Sequence, residues 1–372
     1  MKFELKKSVV LCALAAATTV PALTANAGGT ISFGEDKSVS IGLGMRSSFT
    51  NSTNDGTTDG SRKNDFALDS MRLYMNGSLS KYIKATFNTE KKSDESVGVI
   101  DAIAQFEFMP EFNIWAGRML PGSDRANLDG PYYLLAWAYP GIVSRYPSKT
   151  TGRDDGVAVW GKVLDSKLIY NFGGYEGHNM NSATPIGTKT SDDLLYAGRI
   201  QYDFWSPNGA PAFYTGSTTF GTADVLSVGL AFQYQKDGAV GTTKIGDYMG
   251  WNIDALLEKK IDGYGAVTAE AAYYDYDTDA AIASEDGQAY LAGLGYIFAD
   301  KVGWGQFQPY FRYQKFERDV LPAVTQGKAQ YDLGVNYVID SFNAKVAATL
   351  SNTEMTAGSD VNKLIVGVQL QF

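Results

Sequence analysis

Apolar and polar residues alternate with a period of two along most of the chain. In the run 226–234 apolar side chains occupy every second position, and serine, glycine, alanine and glutamine lie between them. The runs 39–45 and 249–257 repeat this alternation. A period of two is typical of β-strands whose two faces meet different surroundings, and helix start and stop signals are scarce here. We therefore predict an all-β protein.

The alternating runs number sixteen, and the segments that connect them are alternately short and long. Short turns such as 80–81 and 340–341 alternate with longer polar loops such as 51–64 and 176–193. Short periplasmic turns and longer outer loops are typical of a transmembrane antiparallel β-barrel, whereas a soluble β-sandwich gives no reason for such sorting. The segment 206–222 breaks the pattern, because it is long and falls on the side of the short turns. The sixteen runs are 39–45, 71–79, 83–90, 100–108, 112–118, 157–163, 168–175, 196–204, 226–234, 249–257, 265–276, 288–298, 306–316, 329–339, 344–351 and 363–372.

The inward face of these runs carries many charged residues. Only a wide, water-filled barrel can house them, because a small barrel fills its interior with packed side chains. The last run ends at Phe372 with five apolar residues on one face, which resembles the terminal strand of bacterial outer-membrane proteins. We therefore expect residues 28–372 to form a barrel in the bacterial outer membrane, in contact with its lipid. The predicted inward charges are Arg46, Arg72, Lys84, Glu90, Asp101, Glu107, Arg199, Asp254, Glu270 and Asp332.

The first 27 residues have the pattern of a secretory signal peptide. Lysines at positions 2, 6 and 7 precede a short apolar run at 9–17, and Ala25-Asn26-Ala27 forms a small-x-small cleavage site. The apolar run is too short for a transmembrane helix. We predict cleavage after Ala27. The only cysteine, Cys12, lies inside this segment, so the remaining chain does not use disulfides.

The strand pattern is interrupted between residues 119 and 152. The gap holds too many tyrosine, tryptophan and leucine side chains for a disordered segment, and long gaps in a regular pattern tend to be functional. It also reverses the local charge, since residues 118–153 include five basic and two acidic residues in a chain of net charge -9. We predict that 119–152 is a constriction loop folded into the barrel. Its candidate solute-contacting residues are Arg118, Arg125, Arg145, Lys149, Arg153, Tyr133 and Trp137.

The basic residues of this loop have two possible roles. Fixed charge in a narrow, water-filled passage selects the counter-ion, because low-dielectric walls focus the field. Arginine suits that role, since it stays charged and can bind an oxyanion with two donors. Alternatively, these residues pin the loop to the wall by pairing with carboxylates such as Asp101, Glu107 or Asp154. The sequence leaves both roles open.

The sequence argues against an enzyme and against a metal or organic cofactor. After residue 27 there is no cysteine, and His178 is the only histidine, which leaves zinc and other soft metals without their usual ligands. A P-loop and a dinucleotide fingerprint are both absent. A hydrolase built on His178 and Ser182 lacks a recognisable third catalytic group. Asp154 and Asp155 could bind calcium, which is a further alternative. We expect no nucleic-acid partner.

Three stretches around the predicted loop resemble a known family. Gly117-Arg118, the run 121–131 (PGSDRANLDGP) and the run 152–157 (GRDDGV) resemble the phosphate-selective porin O and P family and its relatives, which include short-chain amide and urea porins. With the signal peptide and Phe372, the resemblance covers essentially the whole chain. It implies a sixteen-stranded barrel, assembly into trimers and a third outer loop that is folded inward.

These observations predict a passive porin that forms a water-filled channel for small hydrophilic solutes, with a preference for anions such as phosphate. A channel for neutral solutes of the amide or urea type is an alternative, because Tyr132, Tyr133, Trp137 and Tyr139 offer hydrogen bonds and an apolar wall. A non-conducting surface barrel or adhesin is the other alternative. We expect a homotrimer that has small solutes or anions and outer-membrane lipid as its partners.

Overall fold

The structure is a computed structural model, and it describes residues 28–53, 61–93, 95–177, 180–182, 185–187, 192–207, 210–318, 327–355 and 359–372. The predicted signal peptide, 1–27, lies outside the described residues. Eighteen strands and one short helix are present in these ranges. They are β1 Gly28–Gly34, β2 Lys37–Thr53, β3 Arg62–Ser78, β4 Ile83–Lys91, β5 Gly98–Met109, β6 Phe112–Met119, α1 Arg125–Asp129, β7 Asp154–Val163, β8 Leu168–Tyr175, β9 Met180–Asn181, β10 Leu195–Asp203, β11 Val225–Val240, β12 Ile245–Ile261, β13 Gly265–Asp277, β14 Gly287–Phe298, β15 Gln306–Arg318, β16 Gly327–Asp340, β17 Ala344–Met355 and β18 Val361–Gln371.

Sixteen of these strands form a closed antiparallel barrel, which confirms the predicted fold class and strand number. Consecutive strands pair around the ring, with β8 paired directly to β10, and β18 closes the barrel by pairing residues 363–371 with 44–52 of β2. Two strands lie outside this ring. β1 folds back on the start of β2, and β9 runs parallel to two residues of β11. In the described ranges no helix has the length and apolar character needed to cross a bilayer.

The barrel exposes its apolar face and buries its polar one. On β12, Ile253 is 45% exposed whereas the adjacent Asp254 is 3% exposed, and on β11 Phe232 is exposed whereas Gln233 is buried. A soluble sheet has the opposite arrangement, so this outer surface suits lipid and the interior suits water. In a bilayer the sheet must also close into a ring, because an open sheet edge would leave backbone groups unpaired in hydrocarbon. Seven of the predicted inward charges are buried in this interior, namely Arg46, Arg72, Glu90, Asp101, Arg199, Asp254 and Asp332.

One connection on the side of the long loops turns into the barrel. β6 ends at Met119 and β7 begins at Asp154, and we name the connection between them, residues 120–153, L3. It is the third connection on that side, and residues 120–130 are buried throughout. The helix α1 lies within it. Asp124 caps its N-terminus by accepting a hydrogen bond from Asn127 N at 3.3 Å, and Gly130 ends it with a φ of 66° that favours glycine.

Candidate functional site

L3 crosses the barrel interior and is held there by cations of the opposite wall. Three buried side chains from β2, β15 and β17 donate hydrogen bonds to carbonyl oxygens of the loop. A charged donor makes such a bond stronger than a neutral one does. The tip of L3 is therefore fixed far from the strands in which the loop begins and ends. The donor and acceptor pairs are Arg46 with Trp137 (2.6 Å), Arg312 with Ala138 (2.6 Å) and Lys345 with Leu134 (3.3 Å).

The two predicted aromatic residues of L3 occupy different surroundings. Trp137 is 4% exposed, its ring lies 4.0 Å from the Arg46 guanidinium, and its backbone N–H donates to Tyr310 Oη at 3.2 Å. Tyr133 is half-buried, and its hydroxyl donates to Gln371 Oε1 at 3.2 Å. Tyr133 also lines an interior cavity. Tyr133 is therefore accessible to a solute, whereas Trp137 packs against the wall.

Each of the five basic residues predicted at the constriction lies beside a carboxylate. Of the carboxylates suggested as anchors, Asp101 takes part, whereas Glu107 pairs with Lys84 at 2.6 Å. This geometry corresponds to the anchoring role, and the role in attracting solute anions stays a prediction. The pairs are Arg118 with Asp155 (2.7 and 2.9 Å), Arg125 with Asp254 (3.7 Å), Arg145 with Glu285, Lys149 with Asp155 (2.7 Å) and with Glu176, and Arg153 with Asp101 (3.0 Å).

Two of these five residues are deeply buried. Arg125 is 4% exposed, and its Nη1 atom donates to Gly216 O at 3.2 Å. Arg153 is 6% exposed, and its Nη1 atom donates to Thr151 O at 2.8 Å. Pairing with a carboxylate cancels most of the field of each guanidinium at longer range, because the opposite charge is only a few ångströms away. Their contribution to long-range attraction of anions is correspondingly reduced.

An interior cavity lies to one side of L3, along strands β2 to β7. Its volume is about 830 Å³, within the range of small-molecule sites. L3 contributes Tyr133, Arg153 and Asp129 to its lining, and the connection between β10 and β11 contributes a further wall. The lining holds equal numbers of basic and acidic residues. Its basic residues are Arg72, Lys84 and Arg153, and its acidic residues are Asp101, Glu107 and Asp129.

Two buried carboxyl groups of L3 have altered acidity. Asp124 accepts hydrogen bonds from Tyr274 at 2.8 Å and from Ser144 at 2.9 Å, yet burial raises its pKa to about 6. Burial likewise raises the pKa of Asp129 to about 7, against the opposing effects of Arg125 and a hydrogen bond from Ser217. Both acids therefore lose their proton far closer to neutral pH than an exposed aspartate does.

Two features of the site were missed in the sequence. The first is the set of wall cations that hold L3, of which Arg46 was predicted to face inward but was given no partner in the loop. The second is the connection between β10 and β11, residues 204–224, which enters the barrel. Its signal was visible as a long segment with Phe213, Tyr214 and Phe220 on the side of the short turns. Apolar aromatic residues in such a connection indicate burial.

The described residues offer no site of the kind that metal enzymes use. Within the described ranges, no group of three or more histidine, cysteine, aspartate or glutamate residues comes together around a metal-sized space. His178, the base of the hydrolase alternative, lies outside the described residues. Asp154 is buried and accepts a hydrogen bond from Gly177 N at 2.8 Å, while Asp155 pairs with Arg118 and Lys149. The carboxylates of the calcium alternative are thus engaged in protein contacts.

The fold is shared with solved outer-membrane channels. No protein-family model matches the sequence, and no curated protein matches it. OmpF of Salmonella typhi, solved as a complex with daunomycin, has a TM-score of 0.59 at 12% identity, over 92% of this chain and 100% of that chain. The outer membrane channel DcaP of Acinetobacter baumannii has the same TM-score, identity and coverages. The trimer form of OmpT, an outer membrane protein of Vibrio cholerae, has a TM-score of 0.56 at 11% identity, over 91% of this chain and 100% of that chain.

Identities this low establish the fold and nothing finer. The resemblance to the phosphate-selective porin O and P family therefore stays a prediction, whereas the general porin architecture is established. The ring of sixteen strands, the apolar outer surface and the polar interior agree with it. The chain has the sixteen-stranded antiparallel β-barrel fold that porins share.

Proposed function

We propose that the chain is a passive porin through which small hydrophilic solutes cross the outer membrane. One observation carries the proposal: a cavity of about 830 Å³, lined by charged and amide side chains, lies within the barrel beside an inward-folded loop. A surface barrel or adhesin needs no polar space of this size at membrane depth. Diffusion through such a space requires no chemistry on the solute, so we expect no enzymatic activity and no cofactor.

Swelling of proteoliposomes tests this function. Vesicles that contain the purified protein should swell in urea, acetamide and small sugars, at rates that fall as the solute becomes larger. Vesicles that contain the heat-denatured protein are the control. Rates equal to those of the control for every solute would refute the proposal and favour a non-conducting barrel.

The ion preference is a separate part of the proposal. The sequence-based expectation is a preference for anions such as phosphate, carried by the basic residues of L3. Their pairing with carboxylates, and the balanced lining of Arg72, Lys84 and Arg153 against Asp101, Glu107 and Asp129, support a weak preference instead. We therefore propose a channel of low charge selectivity. Reversal potentials in a gradient of potassium chloride distinguish the two, since a strong anion preference would displace the potential far from zero.

A channel for neutral solutes is the second candidate function. The aromatic residues Tyr133, Trp115 and Trp160 line the same cavity as the amides of Gln105 and Gln371. Apolar faces beside hydrogen-bonding groups suit small polar solutes that carry no charge. Faster swelling in urea and acetamide than in phosphate of similar size would favour this candidate over an anion channel.

We further propose that the protein assembles as a homotrimer within outer-membrane lipid. The support is the porin fold, together with the trimer form in which OmpT of Vibrio cholerae was solved. Cross-linking of the protein in native membranes, followed by electrophoresis without heating, should give a band at three times the mass of the monomer. A band at the monomer mass alone would contradict the proposal.

A further inference from the structure

The connection between β10 and β11 enters the barrel from the side opposite to L3. We name this connection, residues 204–224, the inner turn; its residues 208 and 209 lie outside the described ranges. It lies on the side of the short turns, where the barrel also has its terminal residue, Phe372. Its middle part is nevertheless buried. The buried residues are Ala210, Phe213, Thr215, Ser217, Thr218 and Thr219.

The inner turn leaves the barrel rim through a narrow, hydrogen-bonded neck. Phe204 N donates to Leu226 O at 2.7 Å, and Ser206 N donates to Asp224 O at 3.2 Å. The two strands therefore remain side by side up to Ser206 and Asp224. A tight hairpin could close at this point, so the residues between them are an insertion that ring closure does not require.

The wall of the barrel holds the inner turn on two sides. The Glu258 carboxylate on β12 accepts hydrogen bonds from Thr219 N at 3.0 Å and from Gly221 N at 2.7 Å. On β7, Lys162 Nζ donates to Ala210 O at 2.8 Å. Charged groups that bind backbone atoms on both sides keep the segment in one place. The inner turn therefore spans part of the lumen as a fixed element.

L3 and the inner turn meet inside the barrel. Thr215 Oγ1 donates to Arg125 O at 3.0 Å, and Arg125 Nη1 donates in return to Gly216 O at 3.2 Å. Ser217 N donates to Tyr133 O at 3.3 Å, and the Ser217 hydroxyl donates to the Asp129 carboxylate. The two segments thus occupy one part of the lumen together, and the cavity lies on the side of β2 to β7.

The inner turn forms a wall of that cavity. Among its contributors Tyr214 has the largest side chain; the ring is half-buried, 6.0 Å from the Trp115 ring and 5.1 Å from the Phe213 ring. The opposite wall consists of β3, β4 and β5. A solute that follows the cavity towards the periplasm passes between these two walls. The lining residues of the inner turn are Ala210, Pro211, Ala212, Tyr214, Thr215 and Gly216.

We propose that the inner turn is a second size-selecting element of the channel, on the periplasmic side of L3, and that Tyr214 determines its width. The inference rests on the proposed function, because only a conducting channel can be narrowed. Pore diameter limits both conductance and the largest solute that passes. Removing the inner turn should therefore widen the passage. It also removes the hydrogen bonds that Thr215, Gly216 and Ser217 make with L3, so a second variant that keeps these bonds is needed.

The first test removes the insertion at its neck. Residues 207–223 are replaced by Asn-Gly, which favours the tight turn that the neck geometry allows. In planar bilayers with potassium chloride, the variant should conduct about twice as well as the unaltered protein, since conductance follows the width of the pore. In swelling assays it should also admit larger sugars. Unchanged conductance and an unchanged size limit would overturn the inference.

The second test keeps the inner turn and alters one side chain, because the excised variant could fail to fold. Tyr214→Ala should raise the conductance and the size limit by a smaller amount than excision does. Tyr264→Ala is the matched control, since Tyr264 lies in a short turn on the same side and is 71% exposed. If Tyr214→Ala, Tyr264→Ala and the unaltered protein have equal conductance and an equal solute size limit, the role of Tyr214 is overturned.

The outcomes separate this inference from the proposed function. If the unaltered protein conducts and all variants conduct equally, the porin function stands and the inference fails. If the unaltered protein is silent but the excised variant conducts, the inner turn is a plug, and the proposal of a constitutively open porin fails instead. If neither the unaltered protein nor the excised variant conducts, although heat-modifiable electrophoretic mobility shows that each is folded, both the inference and the proposed porin function are overturned.

Discussion

Asp129 is the residue through which the lumen should respond to pH. The residue is 4% exposed, and its carboxyl group lies near Arg125 and Glu270 and accepts a hydrogen bond from Ser217 of the inner turn. Burial raises the pKa of Asp129 to about 7, whereas an unfolded aspartate has a pKa of about 3.9. Between these values the folded protein binds more protons than the unfolded chain, so its stability falls as the pH rises from about 4 to about 7. Asp124, with a pKa of about 6, contributes in the same direction.

Asp129→Asn should weaken this pH dependence. An amide does not titrate, so the fall in the midpoint of heat denaturation between pH 5 and pH 8 should be smaller by about 2–4 °C, while the contribution of Asp124 remains. Electrophoretic mobility after heating at each pH gives the midpoint. Asp262→Asn is the control, because Asp262 has a 97% exposed side chain in a short turn. An identical pH dependence in Asp129→Asn and in the unaltered protein would contradict the role of Asp129.

Gly367 on β18 provides the space in which Trp137 packs. A Cβ atom added there would lie 2.3 Å from the Trp137 ring, closer than any real contact. Gly367→Ala should therefore displace Trp137 and lower the free energy of unfolding by about 1–3 kcal/mol, as overpacking does. Gly77→Ala is the matched control, since a Cβ at Gly77 meets nothing within 4 Å. Tryptophan fluorescence and denaturant unfolding measure both effects, and equal stability of the two variants would count against this packing.

At the scale of elements, L3 is a loop whose position depends on ion pairs with the wall. The triple variant Arg118→Gln, Arg125→Gln and Arg145→Gln removes two pairs between L3 and the wall, and also the pair between Arg118 on β6 and Asp155 on β7. Asp254 keeps its pair with Arg199, and Asp155 keeps its pair with Lys149. Arg125 is the most buried of the three, and its replacement also removes the hydrogen bond from Nη1 to Gly216 O, so most of the lost stability should come from this residue. The variant should denature at a lower temperature and show noisier current, with little change in reversal potential.

The reversal potential of the same triple variant separates anchoring from anion selection. If the arginines attract solute anions, the reversal potential should shift towards that of a non-selective pore. The shift should be largest at low salt, where the screening length exceeds about 10 Å and fixed charges act over longer distances. Lys259→Gln is a control for the loss of an exposed positive charge, since its side chain is 56% exposed. A large shift with unchanged heat stability would contradict the anchoring role.

The strands were predictable from the sequence, whereas the contacts of the loops were not. Alternation is a local signal, so each run identifies its strand and its outward face without knowledge of its neighbours. The contacts of a loop residue depend on which strands ring closure brings close to it. Arg125 N, for example, donates a hydrogen bond to Asp254, which lies 129 positions later in the sequence. The inner turn was visible only as an exception to the sorted loops, because nothing local indicates that a segment folds into a lumen and not away from it.

At the scale of the whole molecule, the chain combines a lipid-facing apolar exterior with an interior that L3 and the inner turn enter from opposite ends. The ring alone would enclose a wide channel, as sixteen strands do in porins. The two inserted segments occupy part of this interior, and a cavity of about 830 Å³ lies beside them along β2 to β7. This arrangement predicts a conductance well below that of an unobstructed sixteen-stranded ring.

Single-channel recording in planar bilayers tests the central claim most directly. The purified protein, inserted from detergent into a bilayer in 1 M potassium chloride, should give discrete and long-lived conductance steps, with reversal potentials close to zero in a salt gradient. Steps grouped in threes would agree with the proposed trimer. If heat-modifiable electrophoretic mobility shows that the protein is folded and no conductance steps are seen, the claim that this barrel is a passive channel is contradicted.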